Sequence, residues 1–341
     1  MQLETDVTSR ILTECFNATQ KDKLIIISDQ GEHSQRLASS YAHAAESLGA
    51  QHTNITQEPQ TELSTASQTL IRTLSTFPEK NIVILAVSNK LGNLGKLGKS
   101  FRRFCQGRKH RFISTTGLAS LADYTAIMDA MDIDYMKMHL QGLWLKKQLD
   151  STSNIRVTTD AGTDVTIDVF GMQSISNTGN YREHGTGGNI PAGEVYIAPR
   201  GTRNVNGTVV IDGSMRTDEC GILLKDPVTM HITNGRVTSI EGSQAYLLDE
   251  TLKRAEQRSK YPERVRIIGE FGIGINPRAR LVGTTIIDEK VLGTAHIALG
   301  SNYWFGGTNR TIFHGDQVFK NPTIFLDGKE IKYEAGYSYQ E

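Results

Sequence analysis

The chain has 341 residues, a length that favours two domains, and its 38% hydrophobic and 22% charged residues are typical of a globular protein. Lys plus Arg and Asp plus Glu number 37 each, and this zero formal net charge gives no support to a nucleic-acid or membrane-surface partner. No run of residues approaches the roughly 18 apolar positions that a membrane-spanning helix requires.

The three cysteines, Cys15, Cys105 and Cys220, lie far apart and form no CxxC pair. Their odd number and wide spacing indicate a reducing compartment rather than a disulfide framework. Residues 1–10 are polar and contain no apolar segment of the kind that directs secretion. We therefore expect a cytoplasmic location.

Strands and helices alternate in the first part of the chain. The predicted elements are, in chain order, a buried strand over 23–28, a helix over 34–48 that Gly49 closes, a helix over 64–74, a buried strand over 82–87, a short strand over 112–114 and an amphipathic helix over 135–149. Short apolar runs separated by helical spacing are typical of parallel strands joined by helices. Residues 1–150 are thus predicted to form a doubly wound, Rossmann-like α/β domain.

The pattern changes after a polar linker over 150–154. Beyond it the chain is rich in glycine and β-branched residues, and one good helix is predicted, over 247–258. The predicted strands cover 155–159 and 164–169, which form a hairpin around Gly162, and then 205–212, 230–233 and 236–240. We expect residues 151–341 to form a mainly β (α+β) domain that carries a metal site.

Two glutamates stand in apolar surroundings in this second half. Glu194 follows a Pro-Gly turn and begins the apolar strand 195–198, and Glu270 lies inside the apolar, glycine-flanked segment 267–274. A buried carboxylate without a cation or several donors is costly. Each glutamate also has a structural alternative, a cap or ion pair for Glu194 and a pairing with Arg278 or Arg280 for Glu270.

Two histidines and an aspartate complete the set of candidate ligands. His296 lies inside an apolar strand, and His314 and Asp316 are two residues apart, so that a strand would direct both side chains to the same face. His296 alone is also compatible with a core histidine, and a His-x-Asp triplet alone is common. Together the five residues supply two imidazoles and three carboxylates, which suit zinc, cobalt, manganese or iron. Five ligands exceed the usual three for one catalytic metal and suit two metals that share a carboxylate.

Several segments of the second half resemble the thermophilic-type metallopeptidases, the aminopeptidase T and aminopeptidase S family. The matching segments, which occur in the family's order over about the last 190 residues, are NIPAGEV (189–195), GTVVIDG (207–213), GEFGIGINPRAR (269–280), DEKVLGTAHIALGSNY (288–303) and HGD (314–316). The resemblance implies a homodimeric aminopeptidase with two divalent metal ions, held by Glu194, Glu270, His296, His314 and Asp316. It also implies a catalytic tyrosine seven residues after the first histidine, which is Tyr303 here.

The mechanism implied is hydrolysis of a peptide by metal-activated water. Glu194 or Glu270 would bridge the metals or carry the proton from water to the leaving amine, and Tyr303 would donate to the oxyanion. The chain is shorter than typical members, and it is similar to a shorter branch of the family. It resembles more distantly an iron-dependent 2,5-dihydroxypyridine 5,6-dioxygenase, which has a histidine at the position of Glu270 and lacks one at that of His296.

Three hypotheses follow from these residues. The first is a two-metal aminopeptidase that uses zinc, cobalt or manganese. The second is a mononuclear Fe(II) ring-cleaving oxygenase that acts on a small molecule, or a peptide-modifying enzyme on the same fold. The third is a non-catalytic binding protein, which the five costly polar groups disfavour.

Overall fold

The computed structural model describes residues 2–61, 64–98, 100–217 and 220–333. The chain forms two compact units, and both are discontinuous in sequence. The first unit comprises Met1–Met136 and Gly179–Ala192, and the second comprises Lys137–Thr178 and Gly193–Glu341. In the described part of the chain, no helix is long and apolar enough to cross a membrane.

The first unit is an α/β layer around a five-stranded parallel sheet. Its strands are β1 (Lys23–Asp29), β2 (Gln51–Gln57), β3 (Ile82–Ala86), β4 (Arg111–Thr115) and β8 (Gly187–Asn189), and its helices are α1 (Gln2–Arg10), which a π-helical turn (Ile11–Cys15) extends, α2 (Glu32–Leu48), α3 (Gln68–Thr76), α4 (Phe101–Gly107) and α5 (Tyr124–Met131). The strand order is β2-β1-β3-β4-β8. The predicted α/β class with a parallel sheet is therefore confirmed for this unit.

Helices cover the central strands of the parallel sheet. Ile25 of β1 and Val83 of β3 belong to one buried apolar cluster with Leu70 of α3 and Phe104 of α4. The helix α2 contacts β1, β2 and β3 and shares no residue with that cluster, so it covers the opposite face. Burial on both faces explains why these strands are continuous apolar runs in the sequence.

The structure of the first unit differs from the sequence-based expectations at several points. The helix predicted to start at residue 64 starts at Gln68, because the Ser67 side chain accepts a hydrogen bond from the Leu70 amide and caps it there. The edge strand β2 was missed, because its side chains are mostly polar and exposed. The segment 179–192 was expected in the second domain, but its strand β8 pairs with β4.

The second unit is mainly β and contains two antiparallel sheets of seven strands each. The first sheet has the order β14-β13-β10-β6-β5-β18-β19, and the second has the order β12-β11-β17-β16-β15-β9-β7. The strands of the first sheet are β5 (Asn154–Thr158), β6 (Asp164–Asp168), β10 (Val205–Ile211), β13 (Val228–Thr233), β14 (Arg236–Glu241), β18 (Thr323–Leu326) and β19 (Lys329–Ile331). The predicted hairpin is confirmed, since β5 pairs antiparallel with β6.

The second sheet contains every candidate ligand. Its strands are β7 (Ile175–Asn177), β9 (Glu194–Ile197), β11 (Ser214–Arg216), β12 (Gly221–Leu223), β15 (Ile268–Gly274), β16 (Thr294–Gly300) and β17 (His314–Lys320), and the helices of this unit are α6 (Tyr135–Asp150), α7 (Ala245–Arg258) and α8 (Thr285–Asp288). All residues of β15 and β16 are buried, which makes these two strands the centre of the sheet. The predicted mainly β character of this part of the chain is confirmed.

Candidate metal centre

The five candidate ligands lie on four neighbouring strands, in the order β17-β16-β15-β9. The antiparallel register pairs Asp316 with Ala298, and Ala298 with Glu270. Side chains directly opposite each other in a sheet point to the same face, as do residues two apart in one strand. These rules place Glu270, His296, His314 and Asp316 on one face.

Two glycines of β15 leave space on this face for groups from neighbouring parts of the chain. Gly272 pairs with His296, and a Cβ at Gly272 would lie 2.1 Å from His296 Nε2. Gly274 pairs with Glu194, and a Cβ there would lie 2.2 Å from the backbone oxygen of Val291. On this face of β15, Glu270 supplies a carboxylate. The absence of a side chain leaves room for the His296 ring at Gly272 and for the backbone of residues 290–291 at Gly274.

The ligand atoms fall into two groups that share Glu270. One group comprises Glu194, Glu270 and His296, the other comprises Glu270, His314 and Asp316, and within each group the donor atoms lie within 4.8 Å of one another. His296 Nε2 lies 3.2 Å from Glu270 Oε1, and His314 Nε2 lies 3.7 Å from Glu270 Oε2. The two oxygens of one carboxylate thus face the two imidazoles separately.

The donor atoms fit a metal ion in chemistry and orientation. The Nδ1 of His314 lies 2.9 Å from the backbone oxygen of Ser301. A carbonyl oxygen only accepts, so Nδ1 carries the hydrogen and the Nε2 lone pair of the neutral ring is left for a metal. Asp316 Oδ1 is buried and lies 3.4 Å from His314 Nε2. A buried carboxylate oxygen beside an imidazole nitrogen offers two ligand atoms that suit one cation.

Burial and charge act in opposite directions on the two imidazoles. Burial lowers the pKa of His296, but the hydrogen bond to Glu270 and the charge of Asp316 outweigh it and raise this pKa to about 9. Burial likewise lowers the pKa of His314, but the charge and hydrogen bonding of Asp316 raise it to about 10. Without a metal, both rings therefore act as the cations of the centre.

The carboxylates respond to the same environment. Burial raises the pKa of Glu270, which His296 and His314 offset only in part. Burial also acts to raise the pKa of Asp316, but the charge of His314 outweighs it and holds this pKa below its ordinary value. His314 is the most exposed of the four, with 26% of its side chain accessible. The open side of the centre is therefore at His314.

Tyr303 lies at the edge of this region, in the 3-10 turn Tyr303–Phe305 that follows β16. It is 53% exposed, and the guanidinium of Arg310 stands 5.4 Å from its ring centroid. The next residue, Trp304, has its ring centroid 4.8 Å from that of His314. The structure thus brings the segment that contains Tyr303 beside the open side of the centre.

Two charged residues of the centre were missed in the sequence. Lys290 Nζ lies 2.6 Å from Glu194 Oε1 and also forms an ion pair with Glu289. Burial acts to lower the pKa of Lys290, but the charges of Glu194 and Glu289 outweigh it and raise this pKa. In the sequence the charged triplet 288–290 resembles a solvated turn. It is buried because the backbone of residues 290–291 packs against Gly274, and this long-range contact is not visible in the local sequence pattern.

A buried face of carboxylates and imidazoles on an antiparallel sheet is typical of a metalloenzyme. The family whose description is 2,5-dihydroxypyridine 5,6-dioxygenase (NicX) matches residues 139–336, which is more than half of the 341-residue chain. The chain belongs to this family. No curated protein sequence matches it.

Two solved structures share the fold. The 2,5-dihydroxypyridine dioxygenase from Pseudomonas putida KT2440 has a TM-score of 0.76 and 16% identity, and the match covers 96% of this chain and 94% of that one. Wild-type AmpT from Thermus thermophilus has a TM-score of 0.66 and 14% identity, with 97% of this chain and 99% of that one covered. Both expected families are therefore represented, and identities this low support a distant relationship only.

Replacing Gly272 with Ala should remove His296 from the centre. The added Cβ would lie 2.1 Å from His296 Nε2, so the ring must move away from Glu270. We expect a folded protein with at least about tenfold weaker zinc binding, a loss in the range typical of disturbed ligand support. Competition with a chromogenic chelator measures this change. Gly107→Ala serves as the control, because a Cβ there meets nothing within 4 Å and the residue has no positive φ. Unchanged zinc affinity in Gly272→Ala would contradict the geometry.

Metal binding should release protons at neutral pH. The pKa of His296 is raised to about 9 and that of His314 to about 10, so the metal-free centre carries protons on both rings at pH 7. A metal binds only the neutral imidazole, and its affinity should therefore rise as the pH increases from 7 towards 9. Calorimetry in buffers of different ionisation enthalpy should report about two protons released when both groups are filled. Binding heats that do not depend on the buffer would exclude this protonation state.

Proposed function

We propose that this chain is a metal-dependent hydrolase, an aminopeptidase that removes N-terminal residues from peptides. The observation that supports it is the position of Glu270 between two ligand groups, Glu194–Glu270–His296 and Glu270–His314–Asp316. A carboxylate shared by two such groups suits a pair of divalent ions, which are zinc, cobalt or manganese in this proposal. Such a pair, when bound, lowers the pKa of a water molecule and polarises a carbonyl group.

The residues of the chain supply the remaining steps of this proposal. Glu270 would be held by both ions, because its two oxygens face the two imidazoles separately. Glu194 is therefore proposed to take a proton from the attacking water through Oε2 and to pass it to the leaving amine, since its Oε1 accepts hydrogen bonds from both Lys290 and Asn177. Tyr303, at the edge of the centre, is proposed to donate its hydroxyl hydrogen to the oxyanion.

A mononuclear Fe(II) ring-cleaving dioxygenase is the second candidate. Glu270, His314 and Asp316 form one ligand group, and His296 lies beside it at 3.2 Å from Glu270. The face thus contains the two imidazoles and the carboxylate that non-haem Fe(II) oxygenases use. The family match over residues 139–336 favours this candidate as well. It requires a single iron, and its substrate would be a small aromatic molecule rather than a peptide.

A cytoplasmic homodimer is part of the proposal. The helix α6 exposes apolar side chains at Leu140, Leu143 and Trp144, which are 44%, 45% and 38% accessible. Exposed apolar side chains at helical spacing are suited to contact a second copy of the chain. Sedimentation of the purified protein distinguishes dimer from monomer.

Product assays separate the two candidates. The metal-free protein is loaded with zinc, cobalt, manganese or, anaerobically, Fe(II), and is offered amino-acid anilides, dipeptides and 2,5-dihydroxypyridine. The first candidate predicts amino-acid release that continues without oxygen, and the second predicts oxygen uptake with Fe(II) alone. His314→Ala should abolish either activity together with metal binding. His231→Ala, which removes a half-exposed histidine paired with Glu241, should retain both.

The proposed role of Tyr303 predicts a selective effect on turnover. Tyr303→Phe removes one donor to the oxyanion and should lower kcat by about 10²-fold, with KM and metal content nearly unchanged. Tyr261→Phe, at another exposed tyrosine of the same unit, is the matched control. A kcat that stays within about twofold of the wild-type value, against the 10²-fold expected of an oxyanion donor, would exclude Tyr303 from the mechanism.

A further inference from the structure

Lys290 forms ion pairs with two buried carboxylates beside this face, those of Glu194 and Glu289. Its side chain is 0% exposed, whereas a lysine normally keeps its ammonium in water. The ammonium lies 2.6 Å from Glu194 Oε1 and pairs also with Glu289. Such a group is stable in the interior only because both carboxylates offset the cost of desolvation.

Hydrogen bonds of the backbone on both sides of Lys290 hold this residue in place. The Asn276 amide donates to the Lys290 carbonyl at 2.8 Å, and the Leu292 amide donates to the Asn276 carbonyl at 3.0 Å. This segment passes over Gly274, where a Cβ would lie 2.8 Å from the Lys290 carbonyl carbon. The ammonium is thus held beside Glu194 by the same glycine that gives the site face its space.

Lys290 acts on only one half of the centre. Glu194 Oε1 is engaged by Lys290 and by the Asn177 amide at 3.1 Å, and only Oε2 faces His296, at 3.7 Å. The ion pairs of Lys290 within the described ranges are with Glu194 and Glu289, and neither Glu270 nor Asp316 is among them. Lys290 therefore neutralises a carboxylate of the group Glu194–Glu270–His296, and it forms no ion pair with the group Glu270–His314–Asp316 within the described ranges.

We propose that Lys290 makes the two halves of the centre unequal, so that Glu270–His314–Asp316 binds a divalent ion tightly and Glu194–Glu270–His296 binds one weakly. The ammonium already neutralises Glu194, removes one of its oxygens from the ligand set and repels a second cation at close range. The inference rests on the metal centre proposed above, but not on which reaction that centre performs. At low metal concentration the protein then holds one ion, and the second ion binds only at higher concentration.

Zinc titration of the metal-free protein tests this proposal. Wild type should show two binding steps whose dissociation constants differ by at least about tenfold, or a single step with one ion per chain. Glu194→Gln should lose the weak step and keep the tight one. Lys290→Met should tighten the weak step by about tenfold or more and leave the tight step within about threefold, because the competing cation is gone.

A matched control and a second variant exclude a general effect on folding. Lys146→Met removes a partly buried lysine whose ammonium lies 2.7 Å from Asp150 Oδ2, and it should leave both steps unchanged. The double variant Lys290→Met with Glu289→Gln removes the cation together with one carboxylate, so it is expected to fold if Lys290→Met alone does not. Its weak step should still be tighter than that of wild type, because Glu194 has lost its ion pair.

Three results would overturn the proposal. Two equal steps in wild type, or a weak step that is not tightened in either Lys290 variant, would refute the role of Lys290 and leave the metal centre and its proposed function intact. Absence of any zinc binding in folded wild type would remove the centre itself, and the proposed function with it.

Discussion

The cost of burying negative charge dominates the second unit of this protein. Glu194, Glu270 and Asp316 lie almost without solvent contact on one face of a sheet, and Glu289 is buried beside them. Each such carboxylate costs several kcal/mol when it is removed from water without a counter-charge. Lys290 and the two imidazoles supply positive charge in the metal-free protein, and divalent ions would supply it when bound. The sheet, its glycines and the crossing segment at Lys290 are organised around this requirement.

The glycines of β15 show how a sequence creates such a face. A strand built only from bulky residues would fill the space above the sheet with its own side chains. Gly272 and Gly274 alternate with apolar residues that face the other side, so the strand keeps its buried face and leaves the site face open. His296 and the Lys290 segment occupy the two spaces from neighbouring parts of the chain. The same strand thus supports the fold and the ligands.

Much of the fold could be predicted because local patterns encode it. The continuous apolar runs of β1 and β3, the helical spacing of α2 and α6 and the hairpin of β5 and β6 are all legible in the sequence. The edge strand β2 could not be predicted, because its mostly polar and exposed residues show no hydrophobic periodicity. β8 is three residues long and contains two glycines, and it is a strand only because β4 lies beside it.

The candidate site also contains residues that the sequence identified and residues that only the structure revealed. The five candidate ligands stood out because charged or imidazole side chains in apolar strands are rare and need a partner. Lys290 and Glu289 did not stand out, because adjacent charged residues in a turn are ordinary on a protein surface. Only the long-range crossing over Gly274 buries them. The influence of Lys290 on the balance between one and two metals was therefore accessible only from the structure.

The central claim is that the shared face of β9, β15, β16 and β17 binds metal through Glu270. Anomalous diffraction from crystals grown with zinc, recorded on both sides of the zinc absorption edge, tests it most directly. We expect a strong peak between Glu270, His314 and Asp316, and a second, weaker peak beside His296 only at high zinc concentration. Zinc bound elsewhere on the chain, with no peak within coordination distance of Glu270, would contradict it.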